Sequence, residues 1–237
     1  MNPMDNSAPL READLVIFDW DGTLVDSRGV IVATMQAALR EAGLPSMPDE
    51  EVQQVIGLGL EEAIRTLAPE ADQATCDCLR ESYSHRFKSY RATDMPFFPG
   101  AQAGLERLRA QGKRLAVATG KSRQGLDRML AEWEIGHAFI ATRCADETRS
   151  KPDPRMLEEL LTVTGVAAER AVLVGDTAFD MEMAYRLDMP RLAVTYGVHA
   201  RERLAPWAPH AWADAFPQVM AHLGCADLDH DRLESYN

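Results

Sequence analysis

Leu15-Val16-Ile17-Phe18-Asp19-Trp20-Asp21-Gly22-Thr23 opens on four consecutive apolar residues and runs into two carboxylates separated by one residue. A short, unbroken apolar run reads as a strand covered on both faces, the mark of a parallel sheet between helical layers. The carboxyl end of such a strand is the edge at which open α/β sheets bind ligands, so Asp19 and Asp21 stand where chemistry is done. Like charges this close repel, and a fold that concentrates them needs a cation or a shared proton. Gly22 allows a sharp turn directly afterwards. An Asp-Gly pair is also an ordinary turn, so the dipeptide alone decides nothing.

Working outward, four further apolar runs, Leu115 to Ala118, Phe139 to Ala141, Ala171 to Val174 and Leu192 to Val194, alternate with amphipathic helical patterns. Leu126, Met129 and Leu130 make one such stripe; Met156, Leu157, Leu160 and Leu161 make another. Strands alternating with helices predict an α/β fold, a doubly wound, Rossmann-like parallel sheet. The stretch from Phe18 to Leu115 is far longer than one crossover needs, and from Val30 to about Arg91 its pattern is helical throughout. We therefore expect a catalytic core of residues 1–28 and 95–237 with an α-helical cap, 29–94, inserted after the first strand. Its hinges fall at Asp26 to Gly29 and Asp94 to Gly100, the second stiffened by Pro96 and Pro99.

The 237 residues are 46% hydrophobic and 26% charged, ordinary for a soluble globular chain that buries a sizeable core. Lys plus Arg number 25 and Asp plus Glu 37, a net charge of −12 that repels nucleic-acid phosphate and anionic lipid. Neither a nucleic acid nor a membrane is an expected partner, and attraction for a small anion must come from a local device. No apolar run is long enough to span a bilayer and Met1 to Asp14 is polar, so the expected location is cytoplasmic. Cys76, Cys78, Cys144 and Cys225 form no paired metal-site pattern. The six histidines show no ligand spacing, and Trp207 and Trp212 read as core packing.

At the ends of the other strands stand Thr119-Gly120-Lys121, Ser150-Lys151-Pro152, and Gly175-Asp176-Thr177 followed by Asp180. Singly these are a strand-to-helix turn, a solvated lysine and a helix N-cap. Together, in this order at successive strand ends, they resemble the haloacid dehalogenase superfamily of phosphohydrolases. Asp19-x-Asp21-Gly22-Thr23 looks like its first motif, Thr119 its second, Lys151 its third and Gly175-Asp176-x-x-x-Asp180 its fourth, and the helical insertion matches its cap. Asp26-Ser27, Phe98-Pro99-Gly100, Ser150-Lys151-Pro152-Asp153-Pro154 and Thr195-Tyr196-Gly197 look most like the phosphoglycolate-phosphatase branch.

The resemblance implies that Asp19 attacks phosphorus to form an aspartyl-phosphate, and that Asp21 protonates the leaving alkoxide and later activates water. It implies Mg²⁺ held by Asp19, the Asp21 backbone carbonyl and Asp176, with Asp180 supporting that shell or orienting Lys151. Thr119, the Gly120 amide and Lys151 would bind the phosphoryl oxygens of a small phosphorylated metabolite. Gly57-Leu58-Gly59 is either a substrate-facing cap loop or a plain helix-to-helix turn. Arg65 and Arg123 are either anion contacts or exposed arginines. A sugar-phosphate mutase or pyrophosphatase would share these motifs. A dehalogenase needs neither metal nor proton donor, and a phosphoaspartate signalling module is shorter and lacks the inserted helices.

Overall fold

A computed structural model describes residues 8–225. Its sheet has six parallel strands, β1 (Leu15–Phe18), β2 (Arg114–Thr119), β3 (Ala141–Cys144), β4 (Ala171–Gly175), β5 (Arg191–Val194) and β6 (Ala211–Ala213), in the order β3-β2-β1-β4-β5-β6. The order reverses direction between β1 and β4, so the crevice at their carboxyl ends is the switch point of a doubly wound sheet. Helix α1 (Ala8–Arg11) precedes β1; α2 (Arg28–Glu41), α3 (Asp49–Gln53), α4 (Leu60–Leu67) and α5 (Gln73–Phe87) follow it. The remaining helices are α6 (Ala101–Ala110), α7 (Arg123–Glu132), α8 (Arg155–Thr164), α9 (Ala178–Tyr185), α10 (Arg201–Leu204) and α11 (Phe216–His222).

All four residues of β1 are fully buried, as its apolar run requires. Strand alternation divides them. Leu15 and Ile17 pack in one layer with Met156, Leu160 and Met183, while Val16 and Phe18 join the other with Leu105, Leu108 and Phe216. β1 is thereby clamped on both faces and both edges, and the acidic residues that follow it inherit a rigid origin.

Helices α2 to α5 close a separate apolar cluster containing Met35, Leu39, Val52, Ile64 and Leu79. The two chain crossings that connect them to the sheet are held together. Val25 bridges Phe97 antiparallel, Asp26 N donates to Pro96 O at 2.8 Å, and Phe98 N donates to Leu24 O at 2.9 Å.

Two strand expectations need correction. The third strand begins at Ala141 and runs to Cys144, displaced from Phe139 to Ala141. Phe139 and Ile140 supply the apolar signal, but Phe139 is spent packing edge-on to Trp20, centroids 6.3 Å apart. The paired residues include Thr142 and Arg143, which a sheet edge tolerates. β6 adds a sixth strand that the sequence pattern does not show, because three residues, Ala211-Trp212-Ala213, are too few to show a period. Trp207 and Trp212 do pack beside Met181, Ala193 and Leu204. All four cysteines are free, and among the described residues no helix is long and apolar enough to cross a membrane.

Candidate active site

The backbone carries the β1–β4 ladder one residue further, Asp19 N donating to Val174 O at 2.9 Å, so Asp19 is fixed at the mouth of the crevice. Asp176 follows β4 directly. Its Oδ1 accepts from Thr23 Oγ1 and its Oδ2 from Val198 N, each at 2.8 Å. Asp180 closes the capping box that starts α9, its Oδ2 accepting from Thr177 N at 3.1 Å and Thr177 Oγ1 at 2.6 Å. That leaves Asp180 Oδ1 for Lys151, whose Nζ lies 2.6 Å from it and 2.7 Å from Asp19 Oδ1.

Asp19, Asp176 and Asp180 bring oxygens within 4.8 Å of one another, and all three are buried. Three carboxylates against one ammonium leave a buried surplus of negative charge. Burial pushes the Asp19 carboxyl well above its ordinary range; Lys151 opposes this, while Asp180 and Asp176 add to it. Burial, then the charge of Asp180, lifts Asp176 to about 7. Burial disfavours charge on Lys151, but Asp180 and Asp19 outweigh it and its pKa is raised.

The residues fit a divalent cation. Asp19 Oδ2 is buried without any hydrogen-bond partner, and Oδ1 touches Lys151 off the hydrogen-bond direction. The backbone is drawn in around Asp176, since a Cβ added at Gly22 or at Gly197 would lie 2.2 Å from that side chain. Hard oxygen donors with surplus negative charge are the donor set of Mg²⁺ or a like cation.

Asp21 stands beside the cluster, 7% exposed, with Oδ1 accepting from Ser27 Oγ at 2.6 Å and lying 2.9 Å from Lys121 Nζ. Thr119 is fully buried at the end of β2, its Oγ1 accepting from Lys121 N at 3.2 Å. Gly120 lies ahead of Ser122, the N-cap of α7.

Gly57-Leu58-Gly59 is a turn between α3 and α4, and it is also seated on the core. Gly59 N donates to Ser150 Oγ at 2.7 Å, and Gly57 adopts φ +102° beside Thr177. A Cβ on Gly120 would meet the carbonyl oxygens of Leu58 at 2.5 Å and Gly57 at 2.6 Å. Gly120→Ala therefore pushes the turn off the core. The expected cost is about 1–3 kcal/mol, a melting temperature lower by several degrees, where a tolerated Gly-to-Ala change would raise it.

Arg65 pairs with Glu61 at 2.5 Å and Arg123 with Glu147 at 2.6 Å; both are spent on surface ion pairs. The residues that sequence reasoning left without a role are Thr23, Ser27, Lys121 and His199. His199 is buried, and its Nδ1 accepts from Ala178 N at 2.9 Å, so Nε2 carries the proton toward Gln54 O at 3.3 Å. It ties the start of α9 to the inserted helices. His230 lies outside the described residues.

A family model described as haloacid dehalogenase-like hydrolase matches residues 16–194. "Probable phosphatase IndB" of Dickeya dadantii is 33% identical over 211 residues, covering 87% of this chain and 91% of its own. The plasmid phosphoglycolate phosphatase of Cupriavidus necator is 33% identical over 217 residues, covering 90% and 94%. Among solved structures, a haloacid dehalogenase-like family hydrolase from Streptococcus pneumoniae superposes with a TM-score of 0.78 at 25% identity, covering 89% of this chain and 98% of its own.

Proposed function

The chain belongs to the haloacid dehalogenase-like hydrolases, and on that premise we propose that it is a Mg²⁺-dependent phosphatase that hydrolyses a small phosphomonoester through a phosphorylated Asp19. The observation that carries this reading is the Asp19 carboxylate at the switch point, with Oδ2 unpartnered and Lys151 and two further acids around it.

Asp19 is the nucleophile. Its carboxylate needs no separate base, and its Oδ2 stands unpartnered at the carboxyl end of β1, the edge at which a phosphoryl group would lie in line. Lys151, held by Asp19 and Asp180, presents a fixed positive charge to the phosphoryl oxygens, and the Thr119 hydroxyl and Gly120 amide donate to the same group. Asp21 gives a proton to the leaving oxygen as the P–O bond breaks, then takes one from the water that attacks the phosphorylated Asp19. Ser27 and Lys121 hold the Asp21 carboxyl in one orientation throughout. Asp19, Asp176 and the backbone carbonyl of Asp21 would hold Mg²⁺, which neutralises charge on the transferring group when bound. The inserted helices act as a lid that excludes water while the reacting groups stay on the sheet.

The test is phosphate release from a panel of phosphomonoesters, 2-phosphoglycolate among them, with and without Mg²⁺. We expect turnover with the cation and none after chelation by EDTA; turnover unchanged by EDTA contradicts the metal assignment. Mg²⁺ should also raise the melting temperature. At about 100 times its dissociation constant the gain is about 2.7 kcal/mol, or roughly 5–10 °C for a chain of this size.

A further inference from the structure

Asp21, Gly120 and Lys121 form one side of a cavity of about 730 Å³, the rest of which is built largely by the inserted helices. Asp19, Asp176 and Asp180 do not line it. The cavity thus opens from the residue that protonates the leaving oxygen, and what enters it is the organic part of the substrate. We propose that this enzyme acts on phosphomonoesters of bulky apolar alcohols, aromatic or branched aliphatic, whose leaving group fills this cavity. The proposal rests on the phosphatase reading above and concerns only which ester is turned over.

The walls are the first argument. Ile31 and Met35 of α2, Val52 of α3, Ile56, Leu60 of α4 and Phe87 of α5 contribute to them. Ile31, Leu60 and Phe87 are only partly buried and so keep apolar surface uncovered. Covering it with an apolar group stabilises the complex by about 25 cal/mol per Å². Tyr83 and Phe87 stack, centroids 5.6 Å apart, and offer an aromatic platform. Burial, with the Asp21 charge adding, raises the Tyr83 pKa, so the phenol stays neutral there.

The charges are the second argument. Lys121 is committed to Asp21 at 2.9 Å and lies over the Phe87 ring at 4.6 Å. Arg128 donates to the carbonyl oxygens of Lys88 at 2.8 Å and Phe87 at 3.2 Å. Lys88 stands exposed. Lys121, Arg128 and Lys88 are the only cations on the cavity wall among the described residues, and most of the surface a leaving group meets there is apolar. Size is the third. The cavity has room for about two dozen waters, whereas 2-phosphoglycolate in its entirety has roughly nine non-hydrogen atoms.

The experiment measures kcat/KM of the full chain with Mg²⁺ for n-alkyl phosphates from ethyl to hexyl, for 2-phosphoglycolate, and for p-nitrophenyl phosphate as an activated control. The alkyl leaving groups differ little in basicity, so the series isolates burial. We expect kcat/KM to rise by up to about fourfold per methylene, and hexyl phosphate to exceed 2-phosphoglycolate at least about tenfold. Ala63→Phe, which fills the cavity, and Leu60→Asn, which puts an amide on its wall, should each lower the hexyl-to-ethyl ratio about tenfold. A misfolded variant would instead lower both rates together, and the second substitution then decides. A flat alkyl series, or 2-phosphoglycolate preferred, overturns the proposal and leaves the phosphatase reading intact. No release from any ester, p-nitrophenyl phosphate included, overturns both.

Discussion

Asp19→Asn abolishes turnover while leaving the protein folded. The amide keeps the shape of the side chain but offers no anionic oxygen to phosphorus, so kcat should fall at least about 10⁴-fold, the loss expected when a covalent route disappears. Stability should move the other way. Burial holds the native carboxyl well above its ordinary pKa, so the ionised form is the strained one, and a neutral amide relieves part of the negative surplus shared with Asp176 and Asp180. In metal-free buffer the melting temperature of Asp19→Asn should not fall below that of the native chain, and its rise on adding Mg²⁺ should shrink. Retained turnover refutes the nucleophile; an unchanged Mg²⁺ response refutes Asp19 as a ligand.

Lys151→Met should cost activity and stability together. Removing one preorganised donor to developing charge typically costs about 10²–10³ in kcat. Lys151 also pairs with both Asp19 and Asp180 in the interior, and breaking such a pair leaves buried carboxylates uncompensated at a cost of about 3–5 kcal/mol. Because Asp180 and Asp19 raise the lysine's pKa above its ordinary value of 10.5, this contribution is fully present at neutral pH and is lost only as pH climbs beyond that value. The double variant Lys151→Met/Asp180→Asn separates the two effects. It removes one of the two orphaned charges and should recover part of the melting temperature, while kcat stays low. Recovery of kcat would mean that Lys151 only shields Asp180.

Sequence legibility followed the range of the forces involved. β1 was plain because one apolar run and two acids fall within nine residues, and burial on both faces permits no polar interruption. The convergence of Asp19, Lys151, Asp176 and Asp180 was legible only as motif order; the sheet topology supplies the proximity. The sequence leaves Asp180 open between supporting the cation shell and orienting Lys151. Its oxygens are already taken by Thr177 and Lys151, which favours the second.

Lys121 was overlooked for a different reason. A lysine two residues past Thr119 looks like any solvated lysine, and only the pairing of β1 with β2 and the approach of α5 give it Asp21 and Phe87 as neighbours. Ser27 and Thr23 were quoted within motifs, yet their partners depend on a turn whose geometry the letters do not carry. A lone histidine such as His199 has no periodic signal at all. Its place between Ala178 and Gln54 arises from the packing of the insertion on the sheet. The displaced third strand shows the converse, an apolar signal produced by packing against Trp20 rather than by strand pairing.

The measurement closest to the central claim is a rapid acid quench during turnover, followed by mass analysis of the peptide that contains Asp19. The account predicts one added phosphoryl group on Asp19, forming no more slowly than product appears and missing from Asp19→Asn. Steady turnover with that peptide unmodified, or with the phosphoryl group on another residue, would contradict it.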